Sequence, residues 1–203
     1  MQIVQCLINF KNKVMDKETY YYQSNMTKLE KLIEFVKEKH SKQVRKYTGE
    51  PYFNHLKNVA ELTSNIKRGH YATEIAYCHD LLEDTTITDN YLLKKLVDFG
   101  YNYQIAYHIV NTVLMITDYF TKKNYPELNR KARKELEFLR MKNISPLAQN
   151  IKCCDILDNL KDIAVYDKKF ASVYIPEKLV LIQNFKHAQS DLIELIMSDY
   201  SCV

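Results

Sequence analysis

Glycine and proline are scarce, at 3 and 4 residues in a chain of 203. So few chain breakers leave little material for the many tight turns of a β-sandwich or barrel, and they point to long helices. Long apolar runs are missing too. None approaches the roughly 20 residues that a membrane-spanning helix needs, so no membrane association is expected. Charge of one sign is nearly balanced, with a net charge of +4. That is too mild to require nucleic acid as a partner, although a local basic cluster could serve a small polyanion. The cysteines, Cys6, Cys78, Cys153, Cys154 and Cys202, are odd in number and lack the Cys-x-x-Cys spacing of zinc or redox sites. Reduced thiols in a cytoplasmic protein are therefore expected, with adjacent Cys153 and Cys154 as buried small hydrophobes.

What is present is a chain with 46% hydrophobic and 27% charged residues, the balance of a soluble globular protein long enough to bury one core. Residues 1–10, MQIVQCLINF, are faintly like a signal core but lack a basic leader and a small-residue cleavage site. Residues 1–25 read as an N-terminal extension of unknown role, and 26–203 as one domain. From Thr27 apolar residues recur at helical steps, at Leu29, Leu32, Ile33 and Val36, to a helix end near His40. A polar loop with a basic centre, Ser41 to Glu50, precedes Pro51, which is expected to open the next helix. That helix carries His55 among Phe53, Leu56, Val59, Ala60 and Leu62, and Gly69 closes it. Tyr71 to Leu82 reads as a third helix. Thr88 reads as the N-cap of a helix over Asp89 to Phe99, stopped by Gly100. Helical patterns follow over Tyr101 to Met115 and Glu127 to Lys142, with a polar connection between them. Ser145-Pro146 opens a further helix. Phe170 to Tyr200 is mostly helical, with Pro176 near a helix start.

The chemistry-bearing stretch is Cys78-His-Asp-Leu-Leu-Glu-Asp-Thr85. On a helix His79 and Glu83 would share one face and Asp80 and Asp84 an adjacent one. His55, His79, Asp80 and Asp155 are the candidate metal ligands. Two imidazoles and two carboxylates without a thiolate suit a hard or borderline divalent ion, such as Mn²⁺, Fe²⁺, Mg²⁺ or Zn²⁺, with positions left for water or substrate. Taken alone, His55 also reads as a satisfied core histidine, Asp155 as a helix-surface acid, and Glu83 with Asp84 as a solvated helix end. Asp155, Asp158 and Asn159 lie in an apolar stretch, where an unpaired buried acid is costly, so partners are expected.

Three blocks then carry a resemblance. Gln43-Val-Arg-Lys-Tyr-Thr-Gly-Glu-Pro-Tyr-Phe-Asn-His55, His79-Asp-Leu-Leu-Glu-Asp-Thr85 and Ile151-Lys-Cys-Cys-Asp-Ile-Leu-Asp-Asn159 resemble the signature blocks of HD-superfamily phosphohydrolases. More narrowly they resemble the (p)ppGpp hydrolase domain of RelA/SpoT homologues and its stand-alone small relatives. The likeness runs from about Leu29 to about Lys178, with the blocks in the family's order. It implies an all-α HD-domain bundle with one divalent metal ion, usually Mn²⁺, held at His55, His79, Asp80 and Asp155. It further implies that Glu83 and Asp84 orient or deprotonate the attacking water, and that Arg45, Lys46 and Asn159 line the nucleotide side. Arg130, Arg133 and Arg140 read either as a solvated helix face or, for one of them, as reaching the pocket.

The chain departs from that family at three places. His40-Ser-Lys-Gln43 stands for the usual His-x-Gly-Gln, Leu56 for the Pro after the ligand His, and Cys153-Cys154 for Leu-Ala before the last Asp. None removes a candidate ligand or acid. The expected reaction is metal-dependent release of pyrophosphate from the 3′ position of (p)ppGpp, in a hydrolase without synthetase or regulatory domains. Two alternatives stand beside it: an HD-type phosphatase acting on another phosphoester, such as the 2′-phosphate of NADPH or a nucleoside monophosphate, and a non-catalytic nucleotide-binding HD module. The oligomeric state is not readable from the sequence.

Overall fold

The computed structural model describes residues 26–67 and 69–201. The extension over residues 1–25, with Cys6, and also Cys202 lie outside them. The described chain is all-helical, as the scarcity of glycine and proline implies. In order come α1 (Lys28–Lys39), α2 (Phe53–Leu62) with a 3-10 turn over Thr63–Asn65, α3 (Ala72–Cys78), α4 (Leu81–Asp84), α5 (Asp89–Asp98), α6 (Tyr103–Ile116), α7 (Arg130–Met141), α8 (Pro146–Tyr166), α9 (Lys168–Gln183) and α10 (Ser190–Tyr200).

Side-chain caps set several of the starts. Thr27 and Glu30 form a reciprocal capping box on α1, and Thr88 accepts from the Tyr91 amide at α5. Asn129 accepts from Ala132 at α7, and Ser145 accepts from Ala148 at α8, ahead of Pro146. Each such cap is worth about 1 kcal/mol. Pro51 does not open α2. It forms an isolated antiparallel bridge with Val44, which folds residues 43–52 into a hairpin-like turn closed by Arg45 N to Glu50 O at 2.8 Å and Tyr52 N to Gln43 O at 3.0 Å. Gly49, at φ +72°, supplies the left-handed residue this turn needs.

The central element is α8. Its buried residues include Ala148, Ile151, Cys153, Cys154, Ile156, Leu157 and Leu160, which occupy more than one face, so α8 runs through the protein instead of over it. One apolar cluster gathers α1, α2, α3, α5 and α6 on the first half of α8 and includes Cys154; a second gathers α9 and α10 on its later half and includes Cys153. The vicinal cysteines are thus buried small hydrophobes, one on each side. The polar amides at Gln149 and Asn150 are buried for a reason: they accept from the His187 and Gln189 main-chain N–H groups at 2.9 and 2.7 Å, tying the link between α9 and α10 to α8.

Two expected helices come out differently. The stretch 71–82 is not one helix: α3 ends at Cys78 and α4 starts at Leu81, with Asp80 at φ −99°, ψ −2°. Neighbouring residues on a regular helix point about 100° apart; the turn instead lets His79 and Asp80 aim at one spot. Pro176 lies inside α9, not near its start. The start is set by Asp167, whose carboxylate caps the Phe170 amide. No described helix is long and apolar enough to cross a membrane.

Candidate functional site

The hairpin-like turn, α2, the α3–α4 turn and the middle of α8 converge on one buried polar cluster. His55 and His79 are each almost fully buried. Their Nε2 atoms lie 3.2 Å apart, and Asp80 Oδ2 stands 3.0 Å from His79 Nε2 and 3.5 Å from His55 Nε2. Asp155 Oδ1 stands 3.3 Å from His55 Nε2 and 3.7 Å from His79 Nε2. The donor atoms of His55, His79 and Asp80 all lie within 4.8 Å of one another; Asp155 joins them through the imidazoles.

The far side of each ring fixes how it faces the cluster. His55 Nδ1 lies 2.7 Å from Asp158 Oδ2, and His79 Nδ1 lies 2.7 Å from the Ala76 carbonyl oxygen. Both partners only accept, so each Nδ1 carries a proton and each Nε2 is the nitrogen turned inward, able to offer a lone pair to a cation that displaces its proton. Two such nitrogens at 3.2 Å need positive charge, a proton or a cation, between or beside them, and the neighbouring carboxylates hold that charge in place. Burial alone would depress the His55 imidazole, yet hydrogen bonds to Asp155, Asp158 and Asp80 hold it up to about 11. His79 is held up to about 9, burial being overcome by Asp80 and Asp155. In turn Asp80 and Asp155 sit below the usual carboxylate range despite their burial. Two inward imidazoles and two ionised carboxylates without a thiolate fit a divalent cation, and His55, His79 and Asp80 can hold one.

Around these residues runs a second set of contacts, most of it unmarked in the sequence reading. Asp158 bridges His55 to Asn58 Nδ2 at 3.1 Å and to Arg45 Nη2 at 3.4 Å. Tyr52 donates its hydroxyl to Asp80 Oδ2 at 2.6 Å. Lys152, 8% exposed, places Nζ 2.9 Å from Asp155 Oδ2. Burial works against its charge, but Asp155, Asp118 and Glu83 hold it well above the ordinary lysine value. Its signal was available as a lysine one helical turn before Asp155, the spacing that pairs side chains along a helix.

Of the expected nucleotide-side residues, Asn159 and Arg45 lie against this cluster. Asn159 donates to Asp155 Oδ1 at 2.7 Å and accepts from Arg45 Nη1 at 3.2 Å. The Arg45 guanidinium is buried and already engaged, donating to Asp162 Oδ2 at 3.1 and 2.7 Å, so it staples the turn to α8. Lys46 is exposed, 3.4 Å from Asp167 and over the rings of Tyr47 and Phe170.

Glu83 and Asp84 lie on the solvent side. Glu83 Oε2 accepts from the Asp118 main-chain N–H at 3.1 Å and borders a groove of about 710 Å³ that also touches Thr88, Thr117, Asp118, Lys123 and Arg140. Protein hems in its carboxyl although its outer edge meets water. That loss of solvation lifts it to about 7 against the pull of Lys152. Asp84 is raised as well, by burial and by Asp80.

The three arginines of α7 are taken up structurally. Arg130 makes a forked pair with Glu177 at 2.6 and 2.8 Å on the surface, and Arg133 donates to the Leu128 carbonyl. Arg140 holds Glu137 and the carbonyls of Met115 and Thr117. Arg130→Ala is expected to cost less than about 1 kcal/mol in urea denaturation and to leave any turnover unchanged, because an exposed pair is worth little. The charges that draw on Asp118 come from lysines. Lys134 pairs with Asp118 at 3.1 Å, and Lys178, pushed down to about 8 by burial and by Lys152, lies over the Tyr174 ring.

No family model matches the chain. A guanosine-3′,5′-bis(diphosphate) 3′-pyrophosphohydrolase of Aquifex aeolicus (strain VF5) is 39% identical over 74 residues, which is 36% of this chain and 10% of that protein. The matched stretch thus spans about a tenth of that relative's length. Among solved structures, a metazoan ortholog of SpoT that hydrolyzes ppGpp and plays a role in starvation responses aligns with a TM-score of 0.71. The alignment covers 88% of this chain and 98% of that one at 22% identity. At that identity the likeness establishes the fold.

Proposed function

We propose that residues 26–203 form a metal-dependent phosphohydrolase domain that removes the 3′-pyrophosphate of guanosine tetra- or pentaphosphate, giving GDP or GTP and pyrophosphate. The observation that carries the reading is the pair of inward Nε2 atoms, 3.2 Å apart and flanked by Asp80 and Asp155. The similarity to the two ppGpp hydrolases supports it.

A divalent cation held by His55, His79, Asp80 and Asp155, manganese in this reading, would supply positive charge against phosphate oxygens and acidify water at neutral pH. The remaining work belongs to the chain. Glu83 and Asp84 orient the attacking water and take its proton; its oxygen bonds to the phosphorus beside the ribose 3′-oxygen, that P–O bond breaks, and the 3′-oxygen leaves with a proton. Asn159 and Arg45 border the nucleotide side, and Lys46 offers an exposed cation there. A nucleotide substrate and buried free thiols fit a cytoplasmic enzyme.

The test is a substrate panel on the Mn²⁺-loaded protein. Pyrophosphate release from ppGpp is expected. Turnover of NADPH or a nucleoside monophosphate with ppGpp untouched would instead select a phosphatase, and no turnover with a loaded site would select a binding module. The pH profile adds a prediction. A group that accepts a proton must first lose its own, so kcat should rise with pH through a limb at or below about 7, the value to which Glu83 is lifted, since a bound cation can only lower it. Glu83→Gln should remove most of the rate and the limb with it.

A further inference from the structure

His40 ends α1, where capping needs only its main-chain N–H to Val36 O. Its ring is nevertheless 1% exposed and stacks on Tyr52, with centroids 5.4 Å apart and planes 20° apart. Nδ1 lies 2.5 Å from Gln43 Oε1. An amide oxygen only accepts, so His40 is the donor. The amide nitrogen of Gln43 then donates to the Asp84 carbonyl oxygen at 2.6 Å. Nε2 is buried with no hydrogen-bond partner among the described residues. An apolar ring would fill the same stack without leaving a nitrogen unsatisfied, so what the imidazole adds is its Nδ1–H.

Two connectors therefore meet at this ring. One runs through Tyr52, which donates to Asp80 and sets its ring edge-on to His55 at 5.5 Å. The other runs through Gln43 to the main chain at Asp84, which ends α4. We propose that His40 is a positioning residue of the hydrolytic centre, fixing the Asp84 turn through Gln43 while it backs the Tyr52 hydroxyl against Asp80. The proposal rests on the hydrolase reading for its kinetic consequence, but not for its geometry.

The experiment compares His40→Phe, Gln43→Leu and the double variant. His40→Phe keeps the stack on Tyr52 and removes only the donor, so divalent-ion affinity should stay within about twofold of the parent. Its kcat should fall roughly tenfold with KM little changed, because small misplacement of a reacting group acts on the chemical step. Gln43→Leu should match it, and the double variant should be no worse than either, since both break one chain of contacts. His40→Asn, which restores a side-chain N–H near the position of Nδ1, should recover part of kcat. Losses that multiply in the double variant, or a folded His40→Phe with parental kcat, would overturn the proposal. A structural readout keeps it separate from the choice of substrate. In NMR spectra of the full chain, the Asp84 amide and carboxyl resonances should move alike in His40→Phe and Gln43→Leu. If the parent protein turns over nothing, the hydrolase reading fails, and those resonances alone decide whether His40 holds Asp84; no common shift would refute it.

Discussion

Asp80→Ala is expected to abolish divalent-ion binding and nucleotide hydrolysis together. Asp80 Oδ2 is the oxygen nearest His79 Nε2, at 3.0 Å, and it also faces His55 Nε2 at 3.5 Å. Without it, the two inward imidazole nitrogens have only Asp155 beside them to attract a cation. Losing a contact merely adjacent to a metal costs about 10–100-fold in affinity, so losing a ligand should cost at least about 100-fold. Turnover should drop by about three orders of magnitude or more, the scale seen when transition-state charge loses a built-in stabiliser. Asp80→Asn separates charge from shape. It keeps an oxygen for the Tyr52 hydroxyl, which donates at 2.6 Å, but not the negative charge, and it should be nearly as damaging as alanine. Mn²⁺ titration by calorimetry, beside a far-ultraviolet spectrum to confirm the helices, reads both. Parental Mn²⁺ affinity in a folded Asp80→Ala would remove this cluster as the metal site.

How such a site could be read in advance depends on the distance over which its signals act. Helix starts are local, so Thr88 and Ser145 are legible as caps from the residues that follow them. That the clustered imidazoles and carboxylates need partners was legible too, because such groups in apolar helical stretches are costly alone. The partners themselves were not. His55 meets Asp158 across 103 positions of sequence and Arg45 meets Asp162 across 117, and no periodicity records such a meeting. Arg45 shows the consequence: the resemblance put it with Lys46 on the nucleotide side, but only the fold reveals that one is buried against α8 and the other stands in solvent. The break between Cys78 and Leu81 was hidden for a related reason. His79 and Asp80 are weak helix formers, but with no glycine or proline they do not mark a stop, and the turn is favoured by what they reach across space. Pro176 misled in the opposite direction, since a proline usually marks a first turn, whereas the cap at Asp167 and packing of α9 on α8 carry the helix past it.

Lys152→Met should be among the most destabilising single changes in the metal-free protein, although Lys152 is neither a ligand nor an acid of the proposed reaction. Its ammonium is 8% exposed and lies 2.9 Å from Asp155 Oδ2, with Asp118 and Glu83 also drawing on its charge. Methionine keeps the length and apolar stem but takes the cation from the buried Asp155 Oδ2, leaving Asn159 and the imidazoles on Oδ1 alone. Removing one partner of such a pair costs about 3–5 kcal/mol, several times the expected loss at Arg130. A bound divalent cation offers Asp155 a second source of positive charge, so Mn²⁺ should restore part of the deficit. Saturation at one hundred times the dissociation constant adds about 2.7 kcal/mol to a folded state that alone binds the ion. Urea denaturation with and without Mn²⁺ measures both quantities; a metal-free loss below about 1 kcal/mol would show that Lys152 is not the counter-charge of Asp155. Kinetics give an independent sign. The positive charge of Lys152 holds Glu83 down against the burial that lifts it, so its removal favours the protonated, neutral carboxyl. The acid limb of kcat in Lys152→Met should therefore move to higher pH than in the parent, and a limb that moved to lower pH would contradict the electrostatic coupling of Lys152 to Glu83.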